Sequence, residues 1–150
     1  MISSVEEFLR LIESEDGEER RRAAWEGAST ELWNELIEKH PESRFWAAHN
    51  RTVPIEVMWA LARDSEWRVR GRIANKNSCP PEILEELADD TDEAVVSTVS
   101  GHPNTPTRAL KRLLEHPWAK IRDNALRQLM QRGEEVTEVD SSDPEGGSSS

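Results

Sequence analysis

The chain has 150 residues, room for one domain, and its 35% hydrophobic content supports a core, though a thin one for that length. A net charge of -11 disfavours nonspecific attraction to phosphate backbones or anionic lipid headgroups and suits a basic partner better. The single cysteine, Cys79, excludes an internal disulfide and a cysteine cluster for zinc or an iron-sulfur centre.

The opening "MISSVEEFLR" lacks a basic region followed by an apolar run, and no window approaches the ~20 apolar residues of a membrane span, so the expectation is a cytoplasmic chain. Its first predicted helix buries Phe8, Leu11 and Ile12, with Ser4 three residues before Glu7 at capping-box spacing. The helix that follows, "EERRRAAW", has only Ala23, Ala24 and Trp25 to bury, as a terminal cap would. Trp33, Leu36 and Ile37 repeat the first stripe 25 residues on. Three better-matched units come next: "VPIEVMWALARDSEWRVRGRIA" from Val53, "CPPEILEELADDTDEAVVSTVS" from Cys79 and "TPTRALKRLLEHPWAKIRDNAL" from Thr105. Pro54, Pro80 and Pro106 are spaced by 26, as are Leu61, Leu87 and Leu113, Val69, Val95 and Ile121, and Ile73, Val99 and Ala125, which identifies an internal repeat.

Within each unit the first helix carries one apolar stripe at i, i+3, i+4: Met58, Leu61, Ala62, then Leu84, Leu87, Ala88, then Leu110, Leu113, Leu114. A turn at Asp64-Ser65, Asp90-Thr91 or His116-Pro117 leads to a second helix with the opposing stripe. Thr105 is expected to cap a helix whose first residue is Pro106, with Thr52 and Ser78 less well placed. From Gly133 the chain reads "GEEVTEVDSSDPEGGSSS", six acids and no base, and is expected to be a disordered acidic tail over residues 133 to 150 that carries about half of the negative excess.

The segments "HPNTP", "VRGRIA" and "IRDNAL", with leucines at the intervening helical positions, resemble the leucine-rich repeat variant family, a short-period relative of HEAT repeats, across roughly residues 27 to 128. That resemblance implies paired helices stacked into a solenoid, so the expected fold is an all-α, right-handed α-solenoid of about five short helix pairs over residues 1 to 132. Some members carry a cysteine-rich iron-sulfur segment; this chain has none, and no cofactor is expected.

Arg20, Arg44, Arg70 and Arg122 fall at one point of successive second helices, with Val96 in the fourth unit. They read as a stacking ladder in which each guanidinium bonds an acid such as Asp64 or Asp90, or a carbonyl, of a neighbouring unit. The six tryptophans set against two phenylalanines and no tyrosine are unusual. Trp46 and Phe45 align with Arg72 and Gly71, one step off the buried stripe, and so face outward. With His49, Arg68 and Arg72 they make an aromatic and basic patch, the candidate partner-binding site, on the face that second helices line in a solenoid. A connection one residue shorter in the second unit offers the alternative that this helix rotates and buries Phe45 or Trp46 beside Ala47 and Ala48.

No metal site is expected, since the four histidines are separated by whole repeats and read as turn residues bonded to backbone. Cys79, beside Pro80 at a helix start, sits where a lowered thiol pKa can arise, but nothing marks a base for it. The paired acids Glu85-Glu86, Asp89-Asp90 and Asp92-Glu93 read as a solvated face, and no catalytic residue is assigned. The expected function is noncatalytic protein binding, with a protein partner whose basic character the net charge would suit, and no membrane. A small acidic immunity protein masking a basic toxin is the sharper form of it, and a subunit capping an assembly is another. A nucleic-acid enzyme using Trp46 with Asp64 is the third alternative, against which the net charge argues.

Overall fold

A computed structural model describes residues 1–134. All of its regular structure over these residues is helical: α1 (Val5–Glu13), α2 (Gly17–Trp25), α3 (Thr30–Lys39), α4 (Arg44–His49), α5 (Ile55–Ala62), α6 (Trp67–Ala74), α7 (Pro81–Leu87), α8 (Glu93–Ser100), α9 (Thr107–Leu113) and α10 (Ala119–Gln131), with one 3₁₀ turn, Pro41–Ser43, leading into α4. Among the described residues no helix is long and apolar enough to cross a membrane. The expected tail lies, from residue 135 onward, outside the described residues.

From α1 to α8 the helices pack on helices two places along the chain, and α10 continues one of the two rows. The odd-numbered row packs α1 on α3, α3 on α5 and α5 on α7, and the even-numbered row packs α2 on α4, α4 on α6, α6 on α8 and α8 on α10. The core lies between the rows. Phe8, Leu36, Leu61, Leu84 and Leu110 come into it from the odd row, and Ile73, Val95, Val99, Ile121 and Ala125 from the even row, all fully buried. Trp33 is the largest of these side chains and meets Phe8 edge to face, with ring centroids 5.2 Å apart. Val53, Cys79 and Thr105, equivalent residues between units, are buried as well.

The three repeat prolines do not open the helices in the way the sequence suggested. Pro54, Pro80 and Pro106 hold extended backbone, with ψ of 166°, 148° and 145°, and stand immediately before helices that begin one residue later. Thr105 is therefore no cap: its hydroxyl donates to the Val99 carbonyl at 2.7 Å and ties the turn to the end of α8. Ser4 does cap α1, accepting from the Glu7 N–H, but the Glu7 carboxylate bonds Ser3, so the box is not reciprocal. The far end of the helical array closes on Gly133, whose φ of 73° lets its own N–H and that of Glu134 reach the Met130 and Leu129 carbonyls.

Two sets of side chains at repeat spacing join the units. Asp64, Asp90 and His116 each accept the N–H two residues further on, shaping the turn between a first and a second helix. Arg44 then reaches Asp64 at 3.3 Å, and Arg70 grips both oxygens of Asp90 at 2.8 and 2.9 Å while also donating to the Asp64 carbonyl. Arg20 and Arg122 bond the carbonyls of their own turns. The ladder therefore crosses between units at Arg44 and Arg70, as its spacing predicted, while Arg20 and Arg122 stay within their own turns, and Val96, at the gap, joins the core.

The Asp90 side chain is only 6% exposed, so its charge depends on Arg70. Arg70→Met is expected to cost about 3 to 5 kcal/mol in a urea melt, as removal of one partner of a buried ion pair does, and adding Asp90→Asn to that variant should recover part of the loss. Equal stability of the single and double variants would show that the carboxylate is not isolated.

Candidate functional site

The patch anticipated from the sequence lies on α4 and α6, neighbours in the even row. Helix α4 spans one and a half turns, "RFWAAH", and buries Ala47 and Ala48, leaving its large side chains on the flanks. Both alternatives posed for this helix are met in part. Trp46 is exposed, at 42%, whereas Phe45 is half-buried and packs on the core. The rings of Phe45, Trp46 and His49 form one cluster, Phe45 edge-on to Trp46 at 5.4 Å, His49 edge-on to Trp46 at 5.9 Å and stacked with Phe45 at 6.5 Å.

This cluster separates three hollows. On one side Trp46 and His49 close an apolar slot of about 220 Å³ with Ile12, Ala23 and Ala24. On another, Phe45, Trp67, Arg68 and Arg72 border a shallow groove that continues to Ala94 and Thr98 on α8. Arg68 belongs to that groove but its charge is spent, since its guanidinium stacks 5.0 Å above the Trp67 ring and bonds Glu66 at 2.9 Å.

The third hollow, about 420 Å³, lies where α4 and α6 end, and is lined by His49, Arg51, Arg72, Asn75, Lys76 and the turn Asn77-Ser78. Its charge is positive throughout. Lys76 is held by two backbone acceptors, the carbonyls of Ala48 at 2.9 Å and Asn50 at 2.6 Å. Burial, with Arg72 and Arg51 adding repulsion, pushes its pKa down to about 8. Burial likewise lowers the pKa of His49, and Arg72, Lys76 and Arg51 act in the same direction, which favours a neutral imidazole. Arg51 lies 4.1 Å above the ring of Trp25, which this contact leaves 54% exposed. Arg72 Nε and His49 Nδ1 are buried and meet no hydrogen-bonding group of the described chain.

Of the five residues singled out in the sequence, His49 and Arg72 therefore share the cationic hollow, Phe45, Arg68 and Arg72 share the groove, and Trp46 lines the slot. Arg51 and Lys76 were missed. A signal for Lys76 existed: Asn50, Lys76, His102 and Gln128 recur at an interval of 26, and each bonds carbonyls at the end of the preceding second helix. His102 does so through Nε2 while Nδ1 accepts from Asn104, in agreement with the reading of the histidines as turn residues; His49 has no such bond.

Two chemical expectations change. The carboxylate of Asp64, paired with Trp46 in the nucleic-acid reading, accepts from Arg44 and from the Glu66 N–H and is 6% exposed, so it is committed to the turn. The Cys79 thiol is fully buried, and burial pushes its pKa up to about 12, which reverses the lowering suggested by its place before a helix. Comparison with family models, with curated proteins and with solved structures finds no match for this chain.

At pH 8 a thiol reagent should modify Cys79 in the native protein at least about 100-fold more slowly than in the urea-unfolded chain, because both access and thiolate fraction are lost on folding. Comparable rates would place Cys79 outside the core. Trp46→Ala should change stability by no more than about 1 kcal/mol, and Phe45→Ala should be the more costly of the two in the same denaturant melt. The reverse order would show that Trp46, and not Phe45, anchors α4.

Proposed function

We propose that the chain is a noncatalytic protein-protein interaction module, its five helix pairs stacked as a right-handed α-solenoid of the HEAT-like, leucine-rich repeat variant kind. Stacking of helices two apart along the chain and cross-links at an interval of 26 residues support that architecture. The observation that carries the functional reading is the exposure of Trp46 and Trp67, at 42% and 39%, across neighbouring helices of one row. Large aromatics that fold stability does not require to be exposed are the usual anchors of a protein interface, and here they border pockets into which a partner side chain fits.

The local charge refines the choice of partner. The net charge of -11 suits a basic protein, as an immunity protein would meet, but the face that carries the aromatics is cationic at Arg51, Arg72 and Lys76. A partner segment with acidic groups beside an apolar side chain is complementary to that face. The acidity of the chain then acts elsewhere, as solubility and as the internal partners of its arginines.

The test uses affinity capture with the full chain, identification of the captured protein by mass spectrometry, and measurement of its Kd. Trp46→Ala should weaken that complex by about thirtyfold, the equivalent of roughly 2 kcal/mol at an aromatic anchor, and Arg72→Glu should weaken it further while the urea midpoint stays close to the parent. A partner that binds both variants as tightly as the parent would remove this face as the interface.

A further inference from the structure

Acids outnumber bases in this chain by 30 to 19, and most of its arginines are paired accordingly: Arg10 with Glu19, Arg21 with Glu18, Arg22 with Glu7 and Glu26, Arg44 with Asp64, Arg63 with Glu86, Arg68 with Glu66, Arg70 with Asp90, Arg108 with Glu85 and Arg112 with Asp89. Against that excess, the hollow at the ends of α4 and α6 gathers three cations, Arg51, Arg72 and Lys76, with no carboxylate in its lining among the described residues. Like charges brought together and partly withdrawn from water repel one another, and while Lys76 serves the fold through the Ala48 and Asn50 carbonyls, no hydrogen bond among the described residues gives Arg51 and Arg72 a reason to join it. Neither guanidinium is committed. Arg51 has only the Trp25 ring beneath it, and no hydrogen bond of Arg72 to a described group exists, its Nε being buried without an acceptor.

The remaining lining is made of donors as well. Asn75, Asn77 and Ser78 offer amide and hydroxyl groups, and Lys76 retains one N–H beyond the two given to Ala48 and Asn50. Three charges with no compensating acid match a dianion better than a monoanion, and two free guanidinium forks match the paired oxygens of a phosphoryl group.

We infer that the hollow formed by His49, Arg51, Arg72 and Lys76 is a binding site for a phosphate monoester dianion. Its source is either a phosphorylated side chain of a protein or a small phosphorylated molecule, and the site's chemistry is the same for both. The inference goes beyond the protein-binding reading and does not depend on it.

The full chain is titrated, at constant ionic strength, with inorganic phosphate, with phosphoserine in a short peptide and with the same peptide unphosphorylated, by calorimetry and by the arginine Nε–H signals in ¹H–¹⁵N spectra. Phosphate should bind and move the Arg72 and Arg51 signals. Arg72→Gln and Arg51→Gln should each weaken binding by about tenfold or more, the loss of one charge-assisted hydrogen bond, whereas Arg112→Gln, remote from the hollow, should not. Neither hollow variant removes a hydrogen bond of the folded chain, and if one fails to fold the other decides. A phosphopeptide that binds more tightly than inorganic phosphate assigns the source to a protein, and the opposite order assigns it to a small molecule.

The inference is overturned if phosphate does not bind, if binding ignores both hollow substitutions, or if a DNA oligonucleotide, a chain of monoanionic diesters, binds through these arginines more tightly than the monoesters do. Failure here with Trp46-dependent partner capture intact would leave the protein-binding reading standing. Phosphate binding without any captured partner would do the reverse.

Discussion

An α-helix leaves four N–H groups and four carbonyls unpaired at its ends, and in helices of 6 to 13 residues these ends are a large part of the backbone. Helices this short do not persist alone in water. The structure depends on meeting that constraint from outside each helix. Asn50, Lys76, His102 and Gln128 do so for the ends of successive second helices, reaching back one repeat to carbonyls that would otherwise be orphaned. Asp64, Asp90 and His116 do it for the starts of the following second helices, and the arginines bond the same turns from above. Burial between the rows supplies the stabilisation, but these polar cross-links set the register in which burial occurs.

The candidate site grows out of the same device. Where Asn50 and Gln128 make the tie through side-chain amides and His102 through a ring nitrogen, Lys76 makes it through its ammonium group, and it stands beside Arg72 and Arg51. One repeat unit thus has a cationic link at this position of the ladder. The site is not a separate insertion but a charged variant of a structural position, which gives it rigid support: two of its N–H groups are fixed to backbone, and Arg72 projects from a helix packed on both sides.

The aromatic cluster is tied to this too. The chain enters α4 through a 3₁₀ turn that the later units lack, and the helix is shorter than its counterparts α6 and α8. Phe45 covers the core edge, His49 stacks on Phe45, and Trp46 remains at the surface, so a packed ring holds an exposed one in place. Rigid presentation of an aromatic group lowers the entropy lost on binding. It is this coupling, rather than exposure alone, that singles out α4 and α6 as the candidate face.

The sequence by itself determined the helical class, the pairing of helices, the buried stripes and the arginine ladder, because each repeats at a fixed interval and a repeated local pattern states its own geometry. It also pointed to Asp64 and Asp90 as partners of Arg44 and Arg70, since each aspartate follows its arginine by the same 20 residues. Tertiary structure alone decided the rest. Whether Phe45 or Trp46 is exposed turns on a one-residue difference in the connection, and one residue rotates a helix by about 100°. That Pro54, Pro80 and Pro106 precede their helices instead of opening them is set by the turns between units, in which the residue before each proline is buried. The pKa of Cys79 depends on burial by side chains of other units, and the cationic hollow depends on the meeting of Arg51, Arg72 and Lys76 from two inter-unit turns and a helix. Read along the chain, Arg72 already belongs to a basic patch, but Arg51 and Lys76 are ordinary surface charges; only packing brings them beside Arg72 and makes their repulsion a signal.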